Sequence, residues 1–287
     1  MNAFDLSTIT NAYVGSTPAS AIYLGSTLIW PTGPHNYSRD YLTFEIIYSG
    51  TLTWRKTTSL GTPDKTISYS IDNGHTWTSV TSSYNGTLIG NFTTGAKILF
   101  KGSNNNYGTV HPDGCYFSGT STYNIYGNVM SLFYGDNFYN QTSLPQVEET
   151  YTFTVADTTT TVRLTSLPYL FSGVNNSSNI ISVDNLILPA TTLKEHCYER
   201  LFWNQTNILG APVLPATTLA DWCYYEMFEG CSSLDLVTCY ATDISATSCL
   251  TNWLRDVSPT GTFYKDANTT WPSGSSGIPS GWTIEDI

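Results

Sequence analysis

The sequence predicts a mainly β chain that ends in a short α/β solenoid. It divides into an N-terminal attachment segment over 1–33, a β-sandwich over 34–160 and repeats with a terminal cap over 161–287. Three observations predict this. Runs of alternating apolar and polar residues, separated by Gly, Asn and Asp clusters, fill the middle of the chain. Landmarks in the last third recur at a constant offset, as Cys197, Cys223 and Cys249 do. Polarity is carried by neutral groups: 44 Thr, 31 Ser and 21 Asn make up about a third of 287 residues, against 11 % charged. An ordinary soluble domain has roughly 25 % charged residues.

Composition also excludes several classes. The net charge is −11, with 11 basic residues, so no basic stripe suits a nucleic-acid backbone and no nucleic-acid partner is expected. Aromatic residues are 14 %, too many for a disordered chain. No apolar run approaches the roughly 18 residues of a membrane span, so membrane insertion is not expected.

The first segment carries a ten-residue repeat, Tyr13-Val-Gly-Ser-Thr17 and Tyr23-Leu-Gly-Ser-Thr27. Each copy reads as an extended piece followed by a Gly turn. So short a segment buries little surface alone, so it is expected to dock, through Tyr13, Tyr23 and Trp30, onto the next domain or another chain. Met1 to Ser20 lacks a basic start and an apolar core, so no secretory signal is expected. A surface-type composition without an export signal fits a virion protein made in the host cytoplasm and released by lysis.

The middle segment reads as short strands. They include Tyr41-Leu-Thr-Phe-Glu-Ile-Ile47, Thr51-Leu-Thr-Trp54, Thr66-Ile-Ser-Tyr-Ser-Ile71, Lys97-Ile-Leu-Phe100 and Thr150-Tyr-Thr-Phe-Thr-Val155. Regular strand spacing with such turns suggests a sandwich. Asn128 to Tyr134 fits either a short helix or a buried strand. Ser70-Ile-Asp-Asn-Gly-His-Thr-Trp77 fits the Asp-box pattern, in which Asp and Gly close a hairpin over a Trp. That pattern recurs in sialidase propellers. Here it occurs once, and five arginines in all are few for a carboxylate-binding cluster, so the hairpin reading is preferred.

In the last segment Leu188-Pro-Ala-Thr-Thr-Leu193 is joined by Cys197-Tyr198 and Leu201-Phe202. The same landmarks return one period later as Leu214-Pro-Ala-Thr-Thr-Leu219, Cys223-Tyr224 and Met227-Phe228. A third, decayed copy holds Ala241 to Ile244, Cys249 and Trp253-Leu254, and a partial earlier one holds Leu170 to Gly173 with Ile180-Ile181. A period in the twenties with Leu at fixed slots indicates a leucine-rich-repeat solenoid. Thr-Thr-Leu followed by an acidic residue resembles a helix start, and Cys-Tyr-x-x-Met/Leu-Phe has helical spacing. Gly274 to Ile287 is expected to cap the array. Equal spacing of Cys197, Cys223 and Cys249 favours buried thiols filling one slot over disulfides or zinc, and no metal or cofactor is expected.

No nucleophile elbow, phosphate loop or His-Glu-x-x-His occurs, and Glu148-Glu149 diverge on a strand, so no enzyme is expected. The candidate ligand contacts are Trp203, Trp222 and Tyr225, because aromatic faces stack on sugar rings and anchor interfaces. Tyr224 shares its slot with Tyr198 and reads as core. Trp222 shares a slot with His196 and Tyr225 with Glu199, so those slots tolerate polarity.

The stretch Leu214 to Leu234 closely resembles the BspA-like leucine-rich repeat. Ala241-Thr-Asp-Ile-Ser245, Gly261-Thr-Phe263 and Gly277-Ile-Pro-Ser-Gly-Trp282 resemble its terminal cap. Such repeats occur in Bacteroidetes and in phages that infect them, including crAss-like phages. Tyr126 to Phe138 resembles a stretch that accompanies the repeat, and Ile22 to Trp30 resembles N-terminal segments of phage tail and fibre proteins. The resemblance implies adhesion or host recognition without catalysis. The expectation is a homo-oligomeric phage virion protein on the tail or capsid surface, of tail-fibre type, that joins other virion proteins through its N-terminal segment and binds host polysaccharide or protein. A capsid head fibre or decoration protein and a bacterial surface adhesin are the alternatives.

Overall fold

A computed structural model of the chain describes the strands within 12–30 and residues 36–110, 113–146, 148–174 and 178–287. The chain forms two compact units, Met1–Tyr37 and Ser38–Ile287. In the first, the ten-residue repeat becomes two antiparallel pairs, β1 (Ala12–Val14) with β2 (Thr17–Ala19) and β3 (Ile22–Leu24) with β4 (Thr27–Trp30). The side chains of Tyr13, Tyr23 and Trp30 lie outside the described residues.

The second unit is also mainly β. Its strands are β5 (Leu42–Tyr48), β6 (Gly50–Lys56), β7 (Thr66–Ser70), β8 (Thr78–Thr81), β9 (Thr87–Phe92), β10 (Lys97–Lys101) and β11 (Gly108–Thr109). β12 (Cys115–Gly119), β13 (Thr122–Asn128), β14 (Thr150–Val155), β15 (Thr158–Thr165) and β16 (Ile180–Ile187) follow. β17 (Leu236–Cys239), β18 (Gly261–Lys265) and β19 (Trp282–Asp286) complete the unit. One sheet has the order β16-β13-β5-β10-β7-β8, a second β12-β6-β9, a third β11-β15-β14 and a fourth, all parallel, β17-β18-β19.

The first two sheets face each other across an aromatic core. Phe44 of β5 stacks on Tyr123 of β13 (centroids 4.4 Å, 11°) and meets Phe117 of β12 edge-on at 4.7 Å. Trp54 of β6 lies 4.7 Å from the same Phe117. All four rings are buried, and such pairs add about 1 kcal/mol each beyond their area. The segment around Asn128 is both of its candidate structures in turn: β13 ends at Asn128, and a single helical turn, α1 (Ser131–Tyr134), follows.

The Asp-box motif forms the β7–β8 hairpin. Asp72 accepts from the Thr76 amide (2.9 Å), the Thr76 hydroxyl (2.6 Å) and the Ser70 hydroxyl (2.7 Å). The Trp77 indole donates to the Gly74 carbonyl at 3.1 Å, and Lys101 Nζ sits 4.2 Å from the Trp77 ring centre.

β16 pairs parallel with β13 and forms one edge of the six-stranded sheet. Phe171 lies 6.4 Å from Phe117 on one side and 5.6 Å from Phe202 on the other. The strand-rich part and the repeats therefore share a sheet and a core, and position 160 falls inside β15.

The helix expected after each Thr-Thr-Leu is absent. In its place runs a series of tandem turns. Amides of Cys197, Glu199, Leu201 and Trp203 close turns on carbonyls three residues back. Amides of His196, Tyr198, Arg200, Phe202 and Asn204 cross to carbonyls of Asp221, Cys223, Tyr225, Met227 and Glu229 in the next copy. The pattern repeats from Trp222, Tyr224, Glu226, Phe228 and Gly230 to Thr247, Cys249, Thr251, Trp253 and Arg255. Alternate amides thus serve the turn and the neighbour, which leaves none of these buried donors unpaired. The geometry needs a left-handed residue at every fourth position. His196, Arg200 and Asn204, then Trp222, Glu226 and Gly230, then Ser248, Asn252 and Asp256 all have φ between 50° and 76°.

Each rung buries the same slots. Phe202 stacks on Phe228 (5.3 Å, 2°), and Tyr224 lies between Tyr198 and Trp253 at 6.2 Å from each. All six cysteines are free and buried. Burial raises their pKa values, for Cys115, Cys197 and Cys239 to about 12.

Candidate functional site

The tandem turns align equivalent residues of successive copies into columns across the rungs. One column holds His196 and Trp222, whose rings stack at 5.4 Å and 11°. A second holds Glu199 and Tyr225, a third Arg200 and Glu226, and a fourth Trp203, Glu229 and Arg255. The columns adjoin, so aromatic, basic and acidic groups from two rungs meet on one face.

Arg200 is the hub. Its Nε donates to Glu226 at 2.5 Å, its Nη1 donates to the Tyr169 hydroxyl and lies 3.7 Å from Glu199. Its guanidinium also lies over the rings of Tyr169 (5.5 Å) and Tyr225 (5.4 Å). Behind it, His196 Nδ1 lies 2.6 Å from Glu199, a buried carboxylate, and Glu195 chelates Arg163 at 2.6 and 2.7 Å. Arg255 donates to Glu229.

Burial and pairing set the charges. Burial pushes the Tyr169 hydroxyl up to about 12. Burial also opposes the Arg200 charge, but Tyr169 and Glu226 outweigh it and hold the guanidinium protonated. Burial alone would raise the Glu226 carboxyl, yet hydrogen bonds from Arg200 and Tyr225 bring it below the usual carboxylate range. For Glu229 burial wins and raises the carboxyl, against hydrogen bonds from Arg255 and Trp203.

Of the candidate contacts, Trp222 and Tyr225 come together. Their rings are 5.1 Å apart at 48°, both half-buried. Trp203, also half-buried, belongs to the adjoining column with Glu229; among the described residues no ring contact joins it to the pair. Tyr224 is fully buried, as its slot implied.

Sequence reasoning missed Tyr169, Arg200 and Glu226. A usable signal existed: Arg200 and Glu226, and likewise Glu229 and Arg255, are opposite charges one repeat period apart. In a parallel stack that offset puts them side by side. Among the described residues no group of three or more His, Cys, Asp or Glu side chains is arranged to hold a metal ion.

The arrangement presents two angled aromatic rings fixed by a cation behind them. That suits a ligand with an apolar face and hydrogen-bonding edges. No family model, curated protein or solved structure matches the chain.

Proposed function

We propose that the chain is a phage virion structural protein of tail-fibre type. In this reading the two facing sheets are the β-sandwich spacer, and the stacked turns are a short BspA-like leucine-rich-repeat solenoid. The segment over 1–33 attaches the chain to the particle. The solenoid meets the host and binds surface glycan on the Trp222–Tyr225 face. The observation that carries the reading is this pair of half-exposed rings, held at a fixed angle by Arg200 and His196. Sugar rings offer apolar C–H faces to such aromatics and hydroxyls to the polar groups beside them. The low charge and abundant hydroxyls suit contact with a neutral polymer.

The test is binding to purified bacterial capsule polysaccharides on an array, with wild type, Trp222→Ala, Tyr225→Ala and the double variant. Each single change is expected to weaken binding about tenfold, the loss of roughly 1.4 kcal/mol of stacking. Equal binding by the double variant overturns this site. Particles assembled with a chain lacking the segment 1–33 are expected to omit the protein; retention overturns the attachment role.

A further inference from the structure

The β14–β15 ribbon has an open edge. β14 is the outer strand of the third sheet, and its pairing with β15 runs without a register shift from Thr150↔Arg163 to Val155↔Thr158. The Leu164 amide donates to the Glu149 carbonyl at 2.9 Å. Glu149 and Leu164 are therefore a hydrogen-bonded pair. Alternation makes Tyr151, Phe153 and Val155 the residues whose backbone faces β15. The amides and carbonyls of Thr150, Thr152 and Thr154 face outward. Among the described residues none of these six groups has a backbone or side-chain partner.

Such edges are usually blunted by lysine, proline or a bulge. Thr150-Tyr-Thr-Phe-Thr-Val155 has none of these and no charge, in a chain of net charge −11. The other open edges of the second unit differ. β19 carries Glu285 and Asp286, β16 carries Asp184, β8 has four residues and β9 is paired through a register shift.

The strand is also complementary to itself. Two antiparallel copies related by a two-fold axis through Thr152 bring Thr152 opposite the second copy's Thr152 and Thr150 opposite its Thr154. These are the residues with outward backbone groups, so every pair exchanges hydrogen bonds. On one face threonines meet threonines and extend the hydroxyl pairs already present between Thr152 and Thr161 (2.8 Å) and between Thr154 and Thr159 (3.1 Å). On the other face Tyr151 meets Phe153 twice, next to the existing Tyr151–Phe153 contact at 6.0 Å. The nearest acidic residues, Glu148 and Glu149, fall opposite Ala156 and Val155. No like charges fall directly opposite each other.

We propose that β14 is a self-association edge, through which two copies of this chain join their third sheets into one continuous sheet with Thr152 on the two-fold axis. This stands apart from the glycan reading and does not depend on it.

Sedimentation equilibrium and cysteine cross-linking of the full chain test it. Wild type is expected to show a concentration-dependent dimer. Thr152→Pro removes an outward amide and leaves the β15 ladder intact, and is expected to weaken association tenfold or more. Thr152→Lys and Thr152→Glu place like charges opposite each other, so each alone is expected to be monomeric, while their mixture dimerises. Cross-linking reads the register, since Thr152→Cys is expected to form a homodimeric disulfide. Thr150→Cys should do so only when mixed with Thr154→Cys. A wild-type monomer throughout the concentration range overturns the proposal. So does dimerisation of the lysine and glutamate variants as strong as wild type, or self-cross-linking at 150 instead of 152.

Discussion

Removing the Arg200 side chain tests whether the polar columns hold the rungs together or merely decorate them. Arg200→Ala strands the Glu226 carboxylate and leaves Glu199 paired with His196. The Glu226 side chain is 9 % exposed and that of Glu199 1 %, and both lie within 4 Å of the guanidinium. Breaking a buried pair by deleting one partner costs about 3–5 kcal/mol, because the remaining charge is uncompensated. An exposed pair would cost about 0–1 kcal/mol. For a unit of this size each kcal/mol moves the midpoint of thermal unfolding by about 2–4 °C, so a fall of roughly 6–20 °C is expected. The deficit should also depend on pH. In the wild type the folded Glu226 pKa lies below its unfolded value of about 4.3. Its contribution is therefore full above that value and disappears as pH falls through the lower folded one. In Arg200→Ala burial acts without the arginine, the folded pKa rises above the unfolded one, and acidification relieves the variant. Urea unfolding followed by tryptophan fluorescence at pH 7 and pH 4 should show a deficit that shrinks at the lower pH. A cost under about 1 kcal/mol at pH 7, or a deficit unchanged by pH, refutes the claim that Arg200 is a buried hub.

Three further outcomes are expected. Asp72 is held well below the usual carboxylate range, first by the Thr76 hydroxyl and then by the Thr76 amide and Ser70, so its contribution is present above about pH 3.9 and lost only as pH falls through that lower value; NMR titration of its carboxyl should show this, and Asp72→Ala should speed amide exchange across the β7–β8 turn. All six thiols should resist Ellman's reagent at pH 8 in the native protein and react in urea, since burial both shields them and raises their pKa values. Ser248, at φ 52°, should accept Gly with a gain of up to about 1 kcal/mol and lose stability as Val, read from denaturant midpoints.

Strand positions were legible because a half-buried strand writes a period of two into its sequence. Leu42, Phe44 and Ile46 are buried from β5, as are Leu52 and Trp54 from β6, and each follows that period. The longer period of the last third was legible for a similar reason: stacked copies must bury equivalent side chains, as Phe202 and Phe228 do. Two features were not. The edge position of β16 against β13 depends on packing between segments far apart in the chain, and nothing local in Ile180 to Ile187 encodes its neighbour. The polar hub was hidden because aromatic slots stand out within a single copy and charged ones do not. Arg200 and Glu226 look ordinary singly and become a pair only when the copies are overlaid.

The misread helix has the most instructive cause. A repeat such as Cys223-Tyr-x-x-Met227-Phe228 has apolar residues at i, i+1, i+4 and i+5, which is one face of an α-helix. Tandem turns with a left-handed residue at every fourth position bury the same set. In both cases the buried face recurs about every four residues, so hydrophobic periodicity cannot separate them. What separates them is the destination of the amides. A helix satisfies its interior amides within itself, whereas here alternate amides, such as those of Tyr198 and Tyr224, leave the segment and bond the next copy. A helix satisfies its interior backbone without a neighbour; the turn ladder requires one of equal length and register. The sequence signal for such a ladder is therefore paired residues at a constant offset, such as Cys197 and Cys223 or Phe202 and Phe228. Side chains match across the same offset, as Phe202 stacks on Phe228 and Arg200 bonds Glu226, and the backbone amides follow them from one copy to the next.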